Sequence, residues 1–253
     1  MRTIDLNCDV GESYAGRPNA PDTAAIASIT SANVACGLHA GDPTLMRRTV
    51  RLARDAGVAV GAHPGLSDRA GFGRVESRVS PEEVEDLVLY QIGALAAIAA
   101  SEGVPLRHVK AHGALYNMAA RDRALADALA RGVRAFDPSL VLFGMAGSAM
   151  LSAGAAARLS VAAEGFADRT YEPDGRLTPR SRPGAILYDP DVVVPRAVRM
   201  ALDGAVFATD GSEICLRIDT VCIHGDTPGS GELARAVRLG LERAGISVAR
   251  FRG

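Results

Sequence analysis

Short apolar runs alternate with longer stretches of helical periodicity along the whole chain. The runs are rich in Val, Ile and Leu, which is typical of strands that are buried on both faces. They cover residues 3–8, 32–36, 58–62, 106–111, 140–144, 159–163 and 218–223. Several of the intervening helices start with a capping residue followed by Pro, the combination favoured at helix N-termini. These helices are predicted to run from Asp42 to Gly57, from the Ser80–Glu83 capping box to Gly103, and from Thr227 to about Gly245.

Strand–helix repetition of this kind predicts a parallel sheet, either open or closed into a barrel. No linker or change in composition divides residues 1–253, so we expect one domain. Polar candidate residues follow many different strands, whereas an open sheet would gather them at one switch point. The sequence therefore favours an α/β fold, a single-domain β/α barrel of seven or eight strands.

Two connections, residues 64–79 and 166–183, are too long to be simple turns and contain several Arg, Gly and Pro residues. Long irregular segments in a compact domain often cover a binding site. We expect either lids over an anionic small molecule or solvated surface loops.

Composition narrows the classes of partner. Hydrophobic residues make up 48% of the chain and charged residues 23%, with a formal net charge of −1. A basic face for nucleic acid or an anionic membrane is therefore not expected. The N-terminus lacks a secretory signal pattern, and the Ala-rich stretch 94–100 is expected to be too short to span a bilayer. The four cysteines show no C-x-x-C spacing, and Cys8, Cys36 and Cys222 lie in apolar runs, which fits reduced, buried thiols in a cytoplasmic protein.

Four of the five histidines lie near the ends of apolar runs, close to Gly or Pro: His39, His63, His112 and His224. A parallel barrel brings all strand ends of one kind to the same rim. The first predicted strand leads to Asp9 and Glu12 at that rim, and the sixth leads to Glu164 and Asp168. Imidazole and carboxylate groups together suit either a divalent metal site or metal-free acid–base catalysis. Without an H-E-x-x-H signature, both interpretations stay open.

Lys110 is the only lysine among 28 Lys and Arg residues, which suggests a position where a compact ammonium is needed. It shares a strand face with His112. If both point into the barrel, burial would lower the pKa of Lys110. The side chain could then act as a base, a carboxylate anchor or a donor to an oxyanion, or it could simply pair with an aspartate for structure. The chain contains no P-loop and no dinucleotide-binding fingerprint.

Long blocks of the sequence resemble the LamB/YcsF family from about residue 4 to residue 246. The blocks are DLNCDVGES, SANVACGLHAGDP, GVAVGAHPGLSDRAGFGR, YQIGAL, VKAHGALYN, EGFADRTYEPDGRLTPRSRPGA and CIHGDTPG. Leu38 and Ala111 depart from the family pattern without removing a titratable group. The resemblance implies a barrel similar to the glycoside hydrolase/deacetylase group. It also implies ATP-dependent hydrolysis of 5-oxo-L-proline to L-glutamate together with two partner subunits, B and C.

With that resemblance, Asp9, Glu12, Lys110, Glu164 and Asp168 are the candidate catalytic residues. Asp9 or Glu164 would activate water, and Lys110 would stabilise developing charge. His39, His63 and His112 would bind a metal or donate protons. The missing nucleotide motif suggests that a partner subunit binds the ATP. Two alternatives stay open, a stand-alone metal-dependent amidohydrolase or deacetylase and a non-catalytic substrate-binding subunit.

Overall fold

The computed structural model describes residues 2–13, 22–225 and 229–251. Its strands are β1 (Thr3–Val10), β2 (Ser31–Ala35), β3 (Ala59–His63), β4 (Leu106–Lys110), β5 (Val141–Met145), β6 (Val161–Phe166), β7 (Ala205–Phe207), β8 (Glu213–Cys215), β9 (Thr220–Ile223) and β10 (Ser247–Val248). Its helices are α1 (Asp22–Ile26), α2 (Pro43–Asp55), α3 (Pro81–Ser101), α4 (Gly113–Arg121), α5 (Arg123–Phe136), α6 (Ala149–Ala156), α7 (Pro190–Asp203) and α8 (Ser230–Arg243).

Seven parallel strands close into a barrel. The strand order is β1-β2-β3-β4-β5-β6-β9, and β9 pairs back onto β1. These are the seven strands predicted from the apolar runs, so the closed barrel is confirmed, with seven strands. β10 adds a short parallel pairing at the start of β1, and β7 and β8 form a separate antiparallel pair.

The predicted helix caps are present where the structure describes them. The Asp42 side chain accepts a hydrogen bond from the Leu45 N–H, and Ser80 and Glu83 form both bonds of a capping box. Thr227 and Pro228, the predicted start of the last helix, lie outside the described residues.

Helix α3 corrects one expectation. It is 21 residues long, and by length and composition alone it could cross a membrane. The stretch 94–100 is therefore not an isolated short segment, because it forms the last part of a helix that begins at the capping box. One face of α3, including Val88, Ile92 and Leu95, is buried, and the helix packs against α5. The core helices of soluble proteins can pass the same test of length and composition, and this face of α3 belongs to the apolar core.

Polar and apolar side chains alternate along β1. Leu6 and Cys8 belong to the apolar core, whereas Asp5, Asn7 and Asp9, on the other face of the strand, join a buried polar network. The Asp5 carboxylate accepts hydrogen bonds from three hydroxyl groups, those of Thr30, Ser31 and Thr220. Asn7 donates to Glu164 at 2.9 Å and to Thr220 at 2.7 Å. The barrel interior is therefore hydrogen-bonded and polar, and it leads directly to the rim where the strands end.

Candidate functional site

Four predicted site residues form one buried cluster at the carboxyl ends of β1 to β4. Glu12, His39, His63 and His112 are each at most 3% exposed, and their ligand atoms all lie within 4.8 Å of one another. The strands end side by side around the barrel, so residues that are far apart in the chain meet there. We call this set the histidine–glutamate cluster.

The backbone fixes the protonation pattern of two imidazoles. His63 Nδ1 lies 2.7 Å from the carbonyl oxygen of Lys110, and His112 Nε2 lies 2.8 Å from the carbonyl oxygen of Phe72. A carbonyl oxygen only accepts hydrogen bonds, so both of these nitrogens carry protons. In the neutral rings, the lone pairs therefore belong to His63 Nε2 and His112 Nδ1. These two atoms face each other at 3.0 Å.

Glu12 adds a third acceptor at the same point. Its Oε1 lies 3.1 Å from His112 Nδ1, 3.3 Å from His39 Nε2 and 3.7 Å from His63 Nε2. The rings of His39 and His112 are stacked, with centroids 3.8 Å apart. His39 Nδ1 is buried and has no hydrogen-bond partner among the described residues. Converging lone pairs of this kind repel one another unless a shared proton or a cation lies between them.

The electrostatics favour the deprotonated, metal-binding forms of Glu12, His39 and His112. For His63, burial alone would lower the pKa, but Asp9 and Glu12 outweigh it and hold the pKa above its ordinary value. Burial, together with the neighbouring His112, lowers the pKa of His39 to about 3. Burial also lowers the pKa of His112. For Glu12, burial alone would raise the pKa, but His112 and His39 outweigh it and hold the pKa below its ordinary value. A carboxylate with neutral imidazoles is a donor set typical of Zn²⁺.

The long segment 64–79 packs directly on this cluster. Phe72 supplies the carbonyl that fixes His112, and Gly73, at φ +62°, approaches both His39 and His112. A Cβ atom at Gly73 would lie 2.8 Å from His39 Cβ and 2.9 Å from His112 Cδ2. Arg69 holds the segment in place by donating hydrogen bonds to the carbonyl oxygens of Gly37 and Gly41, each at 2.6 Å. The segment is therefore a wall of the site and not a solvated surface loop.

The other long segment, 166–183, is held by the buried Arg169. Its guanidinium donates to the carbonyls of Thr178 and Ala185. Asp168, next to Arg169, is completely buried and lies near the barrel rim. This segment thus places a predicted catalytic carboxylate at the site.

Lys110 lies inside the barrel, below the cluster. Its Nζ is 2.9 Å from Asp9 Oδ1, 2.9 Å from Glu164 Oε1 and 2.9 Å from Cys222 Sγ. Burial lowers the pKa of Lys110, as expected from the sequence, but Asp9, Cys222 and Glu164 raise it by more. The expectation of a lowered pKa is therefore wrong, since the local negative charges outweigh desolvation. This shift favours the ammonium form, whose hydrogen bonds go to Asn7, Asp9 and Cys222.

The two candidate bases differ in their surroundings. Glu164 accepts hydrogen bonds from Asn7 and Tyr116, forms an ion pair with Lys110 and is completely buried. Asp9 Oδ1 accepts from Lys110 and Asn33, while its Oδ2 lies 3.5 Å from His63 Nε2. Burial opposes ionisation of Asp9, but His63 and Lys110 hold its pKa well below the ordinary value. Asp9 therefore borders the histidine–glutamate cluster, whereas Glu164 anchors Lys110 beneath it.

Asp168 pairs with His224, a histidine for which the sequence predicts no specific role. His224 Nδ1 lies 2.9 Å from Asp168 Oδ2, and the His224 backbone N–H donates to the same oxygen at 3.0 Å. The only signal for His224 in the sequence is its position after the last barrel strand. Sequence reasoning misses the polar neighbours Asn7, Asn33 and Tyr116 as well, although the polar alternation at positions 5, 7 and 9 could indicate a polar barrel interior.

Known proteins match the chain over nearly its whole length. The LamB/YcsF family model matches residues 4–253. The 5-oxoprolinase A subunit of Bordetella pertussis is 54% identical over 97% of each chain, and the 5-oxoprolinase A subunit of Chloroflexus aggregans is 54% identical over 98% of each. Among solved structures, the lactam utilization protein from Thermus thermophilus is 50% identical with a TM-score of 0.92, covering 98% of this chain and 100% of that one. A putative cellobiose-phosphate cleavage protein from Enterococcus faecalis, at 14% identity and a TM-score of 0.56, shares the fold alone.

Proposed function

Because the chain belongs to the LamB/YcsF family, we propose that it acts as the A subunit of a 5-oxoprolinase and opens the lactam ring of 5-oxo-L-proline to give L-glutamate. The observation that carries this proposal is about 54% identity over the full length to proteins of that name. The site agrees with the reaction. It places a buried ammonium, ionised carboxylates and neutral imidazoles at one rim. Such groups stabilise charge and transfer protons when an unreactive amide is hydrolysed.

Each group has a role in ring opening. The Lys110 ammonium lies in a low-dielectric interior, where it stabilises negative charge that develops on the carbonyl oxygen. Glu164 forms an ion pair with that ammonium, and Tyr116 holds Glu164 by donating a hydrogen bond to it. Asp9 aligns Lys110 with the cluster and accepts a hydrogen bond from the attacking water. Its low pKa makes it a weak base, because proton-transfer efficiency falls as the pKa of the base moves away from the working pH.

The relatives are named as subunits, so the family works as a multi-subunit enzyme. We propose that the partners are subunits B and C and that one of them binds ATP. Phosphorylation of the amide oxygen would make the ring carbon electrophilic before water attacks it. This division fits a chain without a nucleotide-binding motif. ATP-coupled chemistry and four free cysteines also fit a cytoplasmic location.

We further propose that the histidine–glutamate cluster holds a divalent metal. Glu12, His39, His63 and His112 are the ligands, and the fixed proton positions of His63 and His112 leave their other nitrogens ready to bind it. The hydrogen bond from each of these two rings to a backbone carbonyl is the usual support for a metal-binding histidine. A bound metal would polarise the carbonyl of the substrate as a Lewis acid.

Elemental analysis of the purified chain tests the metal. We expect one zinc or manganese per chain in the wild type and in Cys215→Ser, whose exposed side chain lies on the separate β7–β8 pair. Glu12→Gln removes the negative ligand while keeping its size, so it should lose most of the metal. If the wild type takes up no metal after incubation with Zn²⁺ or Mn²⁺, a shared proton occupies the cluster instead.

Glutamate release from 5-oxoproline tests the function. Subunits B and C with ATP are assayed with and without this chain. Glutamate that forms only in the complete mixture supports the ring-opening role. A complete mixture that yields none contradicts it, and amide hydrolysis by the chain alone with added metal then becomes the leading alternative.

A further inference from the structure

We propose that His224, oriented by Asp168, moves the proton during ring opening, a role that rests on the proposed function. His224 Nδ1 lies 3.1 Å and 2.9 Å from the two oxygens of Asp168. A carboxylate only accepts hydrogen bonds, so Nδ1 carries the proton and the lone pair belongs to Nε2. Within the described part of the chain, Nε2 has no hydrogen-bond partner. A carboxylate that fixes the tautomer of an imidazole is the arrangement of a general base.

The remaining histidines are unsuited to this role. His39, His63, His108 and His112 are between 0% and 3% exposed, whereas the His224 side chain is 11% exposed. The burial that keeps His39 and His108 neutral lowers the pKa of each to about 3, which makes them poor proton acceptors near neutral pH. His63 and His112 each have one nitrogen committed to a backbone carbonyl and the other to the cluster. His224 is thus the histidine that a substrate entering from solvent can reach.

The fold places His224 beside the charged groups of the site. Ligand atoms of His224, Asp9 and Cys222 lie within 4.8 Å of one another. The Phe166 ring lies next to both His224 and Lys110. Its centroid is 5.4 Å from the centroid of the stacked His224 ring and 5.4 Å from Lys110 Nζ. A Cβ atom at Gly225 would lie 1.9 Å from the Asp9 carbonyl oxygen, so only glycine lets the end of β9 approach Asp9 so closely. Asp9 therefore lies between the histidine–glutamate cluster and His224.

In this reaction His224 Nε2 carries out two proton transfers. His224 Nε2 accepts a proton from water as the oxygen of that water bonds to the ring carbon. The same nitrogen then donates the proton to the ring nitrogen as the carbon–nitrogen bond breaks. The amine leaves neutral, the hydroxyl proton of the addition product passes to solvent, and the carbon keeps the phosphate as an acyl phosphate. A second water hydrolyses this mixed anhydride to the carboxylate and inorganic phosphate, and His224 ends the cycle in the form in which it began. The buried Asp168 stabilises the imidazolium between the two steps without taking up the proton itself.

Three variants in the complete mixture with B, C and ATP test this assignment. His224→Gln and His224→Ala should lower kcat for glutamate release by about 10²–10⁴-fold, the range for general acid–base catalysis, while KM for 5-oxoproline changes much less. Asp168→Asn keeps the size of the side chain but can donate to Nδ1 and favour the wrong tautomer, so it should also lower kcat. Added imidazole should restore part of the rate of His224→Ala and leave the wild type unchanged. A purely structural role would not respond to imidazole.

Circular dichroism and metal content, measured on each variant, confirm that folding and the cluster are intact. If His224→Gln retains kcat within about three-fold while the wild-type mixture releases glutamate, the His224 assignment is overturned and the proposed function stands. A rate loss in His224→Ala that imidazole does not restore also overturns proton transfer by His224. If the wild-type mixture itself releases no glutamate, the proposed function fails, and the assignment fails with it.

Discussion

The Lys110 ammonium depends on carboxylates from two other strands. Asp9, on β1, and Glu164, on β6, each have an oxygen 2.9 Å from Lys110 Nζ. All three groups are buried, so each charge is stabilised mainly by the others.

Replacing Lys110 tests the balance of these buried charges. Lys110→Met leaves the carboxylates of Asp9 and Glu164 buried without their cation, so we expect a loss of about 3–5 kcal/mol in the free energy of unfolding. Glutamate release should fall as well. The double variant Lys110→Met/Glu164→Gln removes one of the two stranded charges and should recover part of the stability. Urea denaturation measures both, and a loss below about 1 kcal/mol in the single variant would show that the charges are not coupled.

The buried ring of His108 makes the free energy of unfolding depend on pH. Burial, together with the charges of Lys110 and His63, lowers its pKa to about 3 from an ordinary value of 6.5. Below pH 6.5 the unfolded chain binds a proton at this ring and the native barrel does not. This contribution to stability is therefore complete above pH 6.5 and is lost as the pH falls, at up to about 1.4 kcal/mol per pH unit.

The comparison variant is His108→Gln, which can still donate to Asn33 but does not titrate. Urea denaturation between about pH 4.5 and pH 7 should give a shallower pH dependence for the variant than for the wild type. Equal slopes for the two proteins would mean that His108 is protonated in the native barrel.

At the scale of elements, the segment 64–79 forms part of the site through a close backbone approach. Gly73 has a positive φ, and a Cβ atom added there would lie less than 3 Å from atoms of both His39 and His112. Gly57 has a similar φ of +70°, and no atom of the described chain lies within 4 Å of a Cβ placed there. Alanine at Gly57 therefore tests backbone strain alone, whereas alanine at Gly73 tests the same strain together with displacement of the histidines.

Gly73→Ala should lose metal binding and glutamate release, because the segment must move away from the cluster. Gly57→Ala should cost only the backbone strain, about 1–2 kcal/mol, and keep both activities. Metal content and glutamate release are measured on both variants. If Gly73→Ala behaves like Gly57→Ala, the segment does not shape the cluster.

The strands and capped helices were predictable because their signals are local. A run of Val, Ile and Leu or a Ser80–Glu83 box is recognised within a few residues, and the structure confirms both. The polar side chains inside the barrel are harder to predict. An apolar run indicates a strand that is buried on both faces, but it does not show what the polar residues within that run contact. Asp5, Asn7 and Asp9 are indeed buried, but their partners on β2, β6 and β9 are known only once the barrel closes.

At the scale of the whole molecule, barrel closure divides the rim into two halves. Strands β1 to β4 supply the histidine–glutamate cluster, while β6 and β9 supply Asp168 and His224. The sequence predicts that all these groups reach one rim, but not which of them touch. Asp9 joins the halves because β1 pairs with both β2 and β9.

The same architecture predicts where ATP binds. The site is filled by short-range contacts among carboxylates, imidazoles and one ammonium, and the chain offers no glycine-rich loop ending in Lys to cradle phosphates. Calorimetric titration of the isolated chain with Mg·ATP should therefore show no saturable binding at millimolar nucleotide, whereas a partner subunit should bind it. Saturable one-to-one binding to this chain would place the phosphorylation step on the barrel itself. The division of labour between an activating partner and a ring-opening barrel would then be wrong, even if the complete mixture still releases glutamate.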